Sequence, residues 1–410
     1  MPVTMSGRRA EIVGSSVAAA TAPGGLAARA ARLASIDVIR GVVMVLMAID
    51  HVRVYSGLPA GGPTAGIFFT RWITHFCAPA FVFFAGTGAF LYGRTRTHAD
   101  LSRYLLTRGA WLVLLELTVI RLAWTFNFDY AHYILAGVIW MLGVCMILMS
   151  GLVRFSTRSV AITGLAIIFL QQIVGLPVLA MSASLRQSVG WLWRFLYFGG
   201  VFRLGSGGPA VAVLYSIVPW IGVMATGYAF GAIMIRDSAT RRHACLRIGL
   251  SATALFLVAG GLLVFLTPAP PGAPPALFRL LNQQKYPASQ LFLLMTLGPT
   301  IALLPLAERA RGAVVDALAV FGRVPLFYYL LHIPTIHAAA IVVSLVREGR
   351  VDPWLFGNHP MMPPPVPDGY TWSLPLLYVT FSIVIALLYL PCRWYAGAKA
   401  RRPSSWLRYL

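Results

Sequence analysis

Ser35-Ile36-Asp37-Val38-Ile39-Arg40-Gly41 runs without a break into Val42-Val43-Met44-Val45-Leu46-Met47-Ala48 and on to Ile49-Asp50-His51. From Ile36 to Tyr55 this is a run of about 20 mostly apolar residues, the length a helix needs to cross the hydrocarbon core of a bilayer. Similar runs recur at Phe68–Tyr92, Tyr104–Trp124, Tyr133–Val153, Val160–Met181, Ala210–Ile235 and Ile248–Leu266, then at Ser289–Ala307, Val324–Val346 and Trp372–Leu390. Lipid offers no partner to a backbone N–H or C=O, so such segments must close their own hydrogen bonds as helices. The expected fold class is all-α, a polytopic integral membrane protein of about ten transmembrane helices.

Composition agrees. Of 410 residues, 58% are hydrophobic and 11% charged, against about 25% charged in soluble domains. The formal charge of +21 would suit nucleic acid if it were gathered on one face. Instead the arginines sit in short loops between apolar runs, so no nucleic-acid partner is expected and the bilayer is the surface the chain meets. Arg94, Arg96 and Arg103, then Arg154 and Arg158, then Arg236, Arg241 and Arg242, then Arg309 and Arg311, and finally Lys399, Arg401 and Arg402 fall in alternate loops. The positive-inside rule places these loops and both termini in the cytoplasm of a cell whose inner (plasma) membrane holds the protein. Cys77, Cys145, Cys245 and Cys392 have neither metal-ligand nor disulfide-framework spacing and read as packing residues.

Three regions follow. Residues 1–33, rich in Ala, Gly, Ser and Arg, read as a flexible cytoplasmic tail, 34–393 as the membrane domain, and 394–410 as a basic cytoplasmic tail. A signal peptide is the rival reading of the first region, but Val17–Ala22 lacks a strongly apolar core. The loops opposite the arginines are Ser182–Pro209, with Trp191, Trp193 and Tyr197, the proline-rich Thr267–Ala288, and Arg347–Thr371. Their tryptophans suit interfacial anchors; a cap over an outward-facing site is the alternative. Val314–Gly322, interrupted by Gly322-Arg323-Val324-Pro325, suits a half-helix.

Ionisable groups inside spans are costly and mark pathways or sites. Eleven residues separate Arg40 from His51, almost three turns, so the two share a face roughly 16 Å apart along the axis. Asp37, three residues before Arg40, shares it. The plain reading pairs Asp37 with Arg40 at the interface and lets His51 snorkel into headgroups. Arg71 and His75 stand one turn apart in the second span; Pro79 to Gly88 ends in Phe83-Phe84-Ala85-Gly86-Thr87-Gly88, where small residues let a helix or ligand approach. Glu116 and Arg121 in the third span read as a structural ion pair, and Tyr328, His332 and His337 lie in the ninth. Histidine suits proton abstraction from a hydroxyl or amine attacking a thioester, and arginine suits phosphate or diphosphate. No nucleotide loop, nucleophile elbow or zinc helix motif occurs.

The first two spans, with Lys285-Tyr286-Pro287, Leu293-Leu294-Met295-Thr296-Leu297-Gly298-Pro299 and Phe321-Gly322-Arg323-Val324-Pro325-Leu326-Phe327-Tyr328-Tyr329-Leu330-Leu331-His332, resemble bacterial relatives of heparan-alpha-glucosaminide N-acetyltransferase. The likeness covers most of Ala34 to Leu390. The Arg40 and His51 spacing is also similar to the first-helix pair of the wider superfamily of membrane sugar O-acyltransferases, and Phe83–Gly88 to its second-helix motif. This resemblance implies acetyl-CoA, or another acyl-CoA, as donor substrate bound from the cytoplasm, with no permanently bound cofactor. It implies a sugar or other small-molecule acceptor, presenting an amine or hydroxyl on the far side. In the lysosomal enzyme an asparagine matches His51 and a catalytic histidine sits in the first outer loop. Here His51 replaces the asparagine and Ser56–Ile67 contains no histidine, so direct transfer with His51 as base stays open beside an acyl-enzyme relay.

Candidate catalytic residues are thus His51, Asp50 and His75; candidate donor-binding residues are Arg40, Asp37, Arg71, Tyr328 and His332, with no metal ligands. Asp37 would orient Arg40 or the neighbours of His51. A proton-coupled carrier or flippase for an anionic metabolite is the alternative use of the same residues. A scaffold without chemistry, and a homodimer, are compatible with the sequence.

Overall fold

The computed structural model describes residues 23–62 and 64–401, with side chains from residue 34 onward. The expected tails therefore lie partly outside the described residues, at 1–22 and 402–410. The first helix, α1 (Pro23–Ser56), is already helical across 23–33. Then come α2 (Ala65–Trp72), leading through one tight turn into α3 (Cys77–Gly93), and α4 (His98–Leu115), leading through a π turn at Glu116–Ile120 into α5 (Arg121–Thr125). Strand β1 (Tyr133–Ala136) precedes α6 (Val138–Leu152), α7 (Thr157–Leu170), α8 (Leu176–Ala180) and α9 (Ala183–Trp193). Strands β2 (Gly200–Arg203) and β3 (Ala210–Val213) lead to α10 (Val218–Met234) and α11 (Ser238–Leu266). The chain closes with α12 (Ala276–Leu281), α13 (Gln290–Arg309), α14 (Ala313–Arg323), α15 (Pro325–Glu348) and α16 (Leu374–Arg401). Thr64, Thr97, Ser156, Ser182, Asp237 and Ser289 each cap a helix start by accepting from a backbone N–H of the first turn.

The protein is a mostly helical membrane protein, but ten spans are not what length and apolarity support. Among the described residues six helices are long and apolar enough to cross a bilayer: 65–93, 157–180, 238–266, 290–309, 325–348 and 374–401. The other four expected spans fall short for two reasons. Helix α1 carries Asp37, Arg40, Asp50 and Arg53, and the stretch from α4 to α5 carries Arg108, Glu116 and Arg121. Helices α6 and α10 are short, because the first residues of those runs leave the helix and pair as a sheet. Its order is β1-β3-β2, with Tyr133 opposite Ala210 in the parallel pair and Gly200 opposite Val213 in the antiparallel one.

Helix α1 is central, packed against α3, α13, α14, α15 and α16. The closest approach is to α14, the separate eleven-residue helix that ends where Pro325 starts α15. A Cβ on Gly41 would lie 1.8 Å from the Leu318 carbonyl oxygen, and one on Gly322 would lie 1.8 Å from that of Asp37. No larger residue fits either place without moving a helix. The Phe83–Gly88 motif divides its work. Gly86 packs against the Met224 backbone of α10, and Thr87 Oγ1 donates to Gly227 O at 2.9 Å. Gly88 instead leaves room beside Arg40 Nη2.

A helix leaves its last four carbonyls without intrahelical partners. At the end of α1 all four are met. Ser56 Oγ donates to Arg53 O, Asn358 Nδ2 to Val54 O, Tyr370 Oη to Tyr55 O, and the Trp372 N–H to Ser56 O. Three of these donors come from the loop at 349–373, which is thereby tied down over the His51 end of α1.

Candidate active site

His51 lies five residues from the end of α1, and α15 brings His332 against it. His332 Nδ1 donates to the Tyr329 carbonyl oxygen at 2.7 Å, an acceptor with no proton of its own. In the neutral pair that tautomer leaves a lone pair on His332 Nε2. His51 Nδ1 stands 2.7 Å from it and must therefore be the donor. By this chain the remaining nitrogen, His51 Nε2, carries the lone pair. Trp124 meets the His51 ring edge-on at 4.9 Å, and Tyr328 stacks on His332 at 5.1 Å, so both rings are held in place.

His51 faces a cavity of about 150 Å³, the histidine chamber, also lined by Asp50, Arg71, Glu116, Lys285 and Tyr329. A second cavity of about 320 Å³ opens beside the other half of α1. Its wall carries four cations, Arg40, Arg108, Arg323 and Lys399, with Tyr92 and Tyr104 stacked on each other at 4.1 Å. The two cavities share Phe81, Val138 and Tyr329. Along α1 the order is Arg40 and Met44 on the basic chamber, then Met47, Asp50 and His51 on the histidine chamber.

The sequence candidates are distributed unevenly around this geometry. Asp37 sits 4.0 Å from Arg40, whose Nη2 donates to Phe84 O at 2.7 Å, so the expected pairing exists but lies at a cavity wall. Asp50 lines the histidine chamber and is held by Arg53 Nε at 2.9 Å. Arg71 lines that same chamber, away from the four cations around Arg40. His75 is buried beside Phe292 at 5.5 Å and lines neither cavity; neither of its ring nitrogens has a partner among the described residues. Tyr328 and His332 are fully buried behind His51 rather than on a cavity wall. His337 stacks between Tyr55 at 4.8 Å and Phe126 at 3.9 Å, where it packs the end of α1.

One expected contact is replaced. Glu116 and Arg121 do not pair with each other. Glu116 Oε2 accepts from the N–H groups of Ile139 and Trp140 and so caps α6, while Arg121 donates to the carbonyls of Tyr133, Asn127 and Asp129. The π turn between them inserts an extra residue and sends the two side chains apart. Residues that the sequence reading did not assign to a site are Tyr329, Glu116, Arg108, Arg323, Lys399 and Lys285. Lys285, Arg323 and Tyr329 stood inside quoted motifs, Arg108 lay within an expected span, Glu116 was read as an ion-pair partner, and Lys399 was visible only as a topology signal.

On the 349–373 loop, His359 stacks on Tyr133 at 3.8 Å and accepts the Met362 N–H at 3.2 Å. Burial, assisted by the Arg121 charge, pulls its imidazole down from 6.5 to about 4. The neighbouring Pro360 forms part of the histidine chamber wall.

No curated protein matches the chain. The family model described as heparan-alpha-glucosaminide N-acetyltransferase, catalytic, matches residues 32–270, more than half of the chain. That match spans α1 with Arg40 and His51, the Phe83–Gly88 motif and the Glu116 turn, and it lends nothing to a carrier reading. The chain therefore belongs to the heparan-alpha-glucosaminide N-acetyltransferase catalytic family.

Proposed function

We propose that the protein transfers an acetyl group, or another acyl group, from acyl-CoA in the basic chamber to an amine or hydroxyl acceptor in the histidine chamber. The observation that carries this reading is the His51 lone pair, fixed by His332, on the wall of a cavity that shares Phe81, Val138 and Tyr329 with the basic chamber. Coenzyme A carries a diphosphate and a further phosphate, which suit Arg40, Arg108, Arg323 and Lys399, and an adenine, which suits the Tyr92 and Tyr104 rings. Its pantetheine arm then runs past Phe81, Val138 and Tyr329 toward His51.

The acceptor's nucleophilic atom gives its proton to His51 Nε2 as it attacks the thioester carbonyl. His51 Nδ1–H keeps its bond to His332 throughout, so the imidazolium is stabilised by the His332 lone pair. The tetrahedral species collapses by breaking its C–S bond, and the thiolate leaves with the proton that His51 returns. Transfer is direct, because Ser56–Ile67 offers no histidine for a relay.

The same reading takes α1, the α4–α5 stretch, α6 and α10 as further spans, ten in all with the six above. Support comes from their charges: Arg40 and Asp50 face cavities, Glu116 caps a helix and Arg121 is saturated by backbone carbonyls, the places where membrane-buried charges are tolerated. The arginine loops set the basic chamber and both termini on the cytoplasmic side of the plasma membrane.

Acetyl-CoA turnover by the purified protein in detergent, with a panel of amino sugars and sugars, tests this. Thioester consumption with a matching acetylated product and no ion gradient is expected; no consumption with any acceptor would refute it.

A further inference from the structure

The histidine chamber holds an excess of positive charge that its own residues do not neutralise. Three cations line it. Arg53 is taken up by Asp50 at 2.9 Å and by the Leu58 carbonyl oxygen at 3.0 Å. Arg71 and Lys285 are not: among the described residues neither side chain has a hydrogen-bonding or ion-pair partner. The remaining carboxylate, Glu116, is occupied at the start of α6 by two backbone N–H groups. Lys285 is only 9% exposed, and its ammonium stands 5.3 Å from the Tyr286 ring centre and 5.7 Å from that of Tyr215, both of which also line the chamber. Two cations facing one small cavity, Lys285 nearly buried and Arg71 half-buried, repel each other and lose hydration. An anion entering between them relieves both costs.

We infer that the acceptor is an anionic small molecule, whose carboxylate, phosphate or sulfate is held by Arg71 and Lys285 while its amine or hydroxyl is presented to His51 Nε2. This rests on the acyl-transfer reading for the word acceptor, but not for the anion subsite. Arg71 holds a planar acid group by a two-pronged contact, and Lys285 adds a point charge that tolerates tetrahedral or planar anions. Neutral sugars of the same size lack the group that compensates these cations, so they bind less well. Glu116 Oε1, which has no donor among the described residues, is placed to accept a hydrogen bond from a hydroxyl of the same molecule and fix its orientation.

The test is calorimetric binding to the full-length protein in detergent, without acyl-CoA, using matched pairs: glucosamine against glucosamine 6-phosphate, and galactose against galacturonate. The anionic member of at least one pair should bind about tenfold tighter or more, as loss of a charged hydrogen bond implies. That ratio should shrink as salt rises. K285Q and R71Q should each reduce it by about tenfold, and K285E should remove or invert it. Equal affinities within both pairs, or an undiminished ratio in K285Q and R71Q that remain folded and abundant, would overturn the inference. So would a phospholipid that copurifies with the wild type, is lost in K285Q, and leaves no discrimination among sugars; the cations would then serve a lipid headgroup. Preference for anions in a protein that never consumes acetyl-CoA would keep the subsite and refute the acyl-transfer reading instead.

Discussion

Replacing His332 separates a base that works alone from one that is held by a partner. His51→Ala removes the proton acceptor itself and should lower kcat by roughly 10²–10⁴-fold, the usual contribution of a general base. His332→Ala leaves His51 in place but removes the fully buried acceptor of its Nδ1–H. An unmet buried donor costs about 1–3 kcal/mol, equivalent to roughly 5- to 150-fold if the whole penalty falls on the transition state, where His51 becomes charged. His332→Gln offers an amide oxygen in place of Nε2 and should recover much of this loss. Because His332 acts only through His51, the double variant His51→Ala/His332→Ala should be no slower than His51→Ala, whereas independent roles would multiply. The assay is initial-rate acetyl-CoA consumption at saturating acceptor, with size-exclusion profiles showing that each variant is folded. Multiplicative losses in the double variant, or near-native turnover by His51→Ala, would refute the dyad, and His75 would be the next base to test.

Arg40→Ala should raise KM for acetyl-CoA more than it lowers kcat, by roughly 1.5–3 kcal/mol in binding if one charged hydrogen bond is lost; kinetics with acetyl-CoA varied at low and high salt measure it. Gly322→Ala places a Cβ 1.8 Å from the Asp37 carbonyl oxygen and should destabilise by about 1–3 kcal/mol as α14 is pushed off α1. Gly261→Ala, with nothing within 4 Å, should be neutral or stabilising, so the pair of melting temperatures decides the matter. For His359, the folded value of about 4 lies below the ordinary 6.5, so the unfolded loop binds the proton more readily. Its stabilisation is full above pH 6.5, declines as pH falls through that window, and is lost by pH 4, at most about 3 kcal/mol. Hydrogen exchange across 349–373 should accelerate over that range, and His359→Phe should flatten the response. Single cysteines in 94–103 and 236–242 should resist an impermeant reagent in intact cells while one in 182–209 reacts; labelling at 236–242 would reverse the proposed orientation.

Much of α1 was legible from its sequence. The 3.6-residue period put Asp37, Arg40 and His51 on one face, and the structure keeps Arg40 and His51 on cavity walls along that helix. Phe83–Gly88 announced close packing and Val314–Gly322 a short helix, since missing side chains and a proline leave signals within a few residues. The membrane class itself needed only composition, because a chain this apolar has no aqueous solution to the burial of its backbone.

What the sequence did not contain was any relation between distant segments. His332 stands 281 positions from His51, and no periodicity connects α1 to α15; only packing converts two isolated imidazoles into a pair with a defined tautomer. Lys399 read as a cytoplasmic-tail charge, Arg323 as part of the break before Pro325 and Arg108 as one residue of an expected span; they become one cationic wall only when α4, α14 and α16 converge beside Arg40. Glu116 and Arg121 looked like partners in a regular helix and were separated by one extra residue in a π turn. The number of spans was out of reach for the same reason: among the described residues six helices are long and apolar enough to cross a bilayer, and the charges on α1 and on the α4–α5 stretch find their partners or cavity walls only in the folded chain. Local order follows from backbone geometry and solvent, which act over a few residues; the site follows from tertiary contacts, whose partners the chain brings together only by folding.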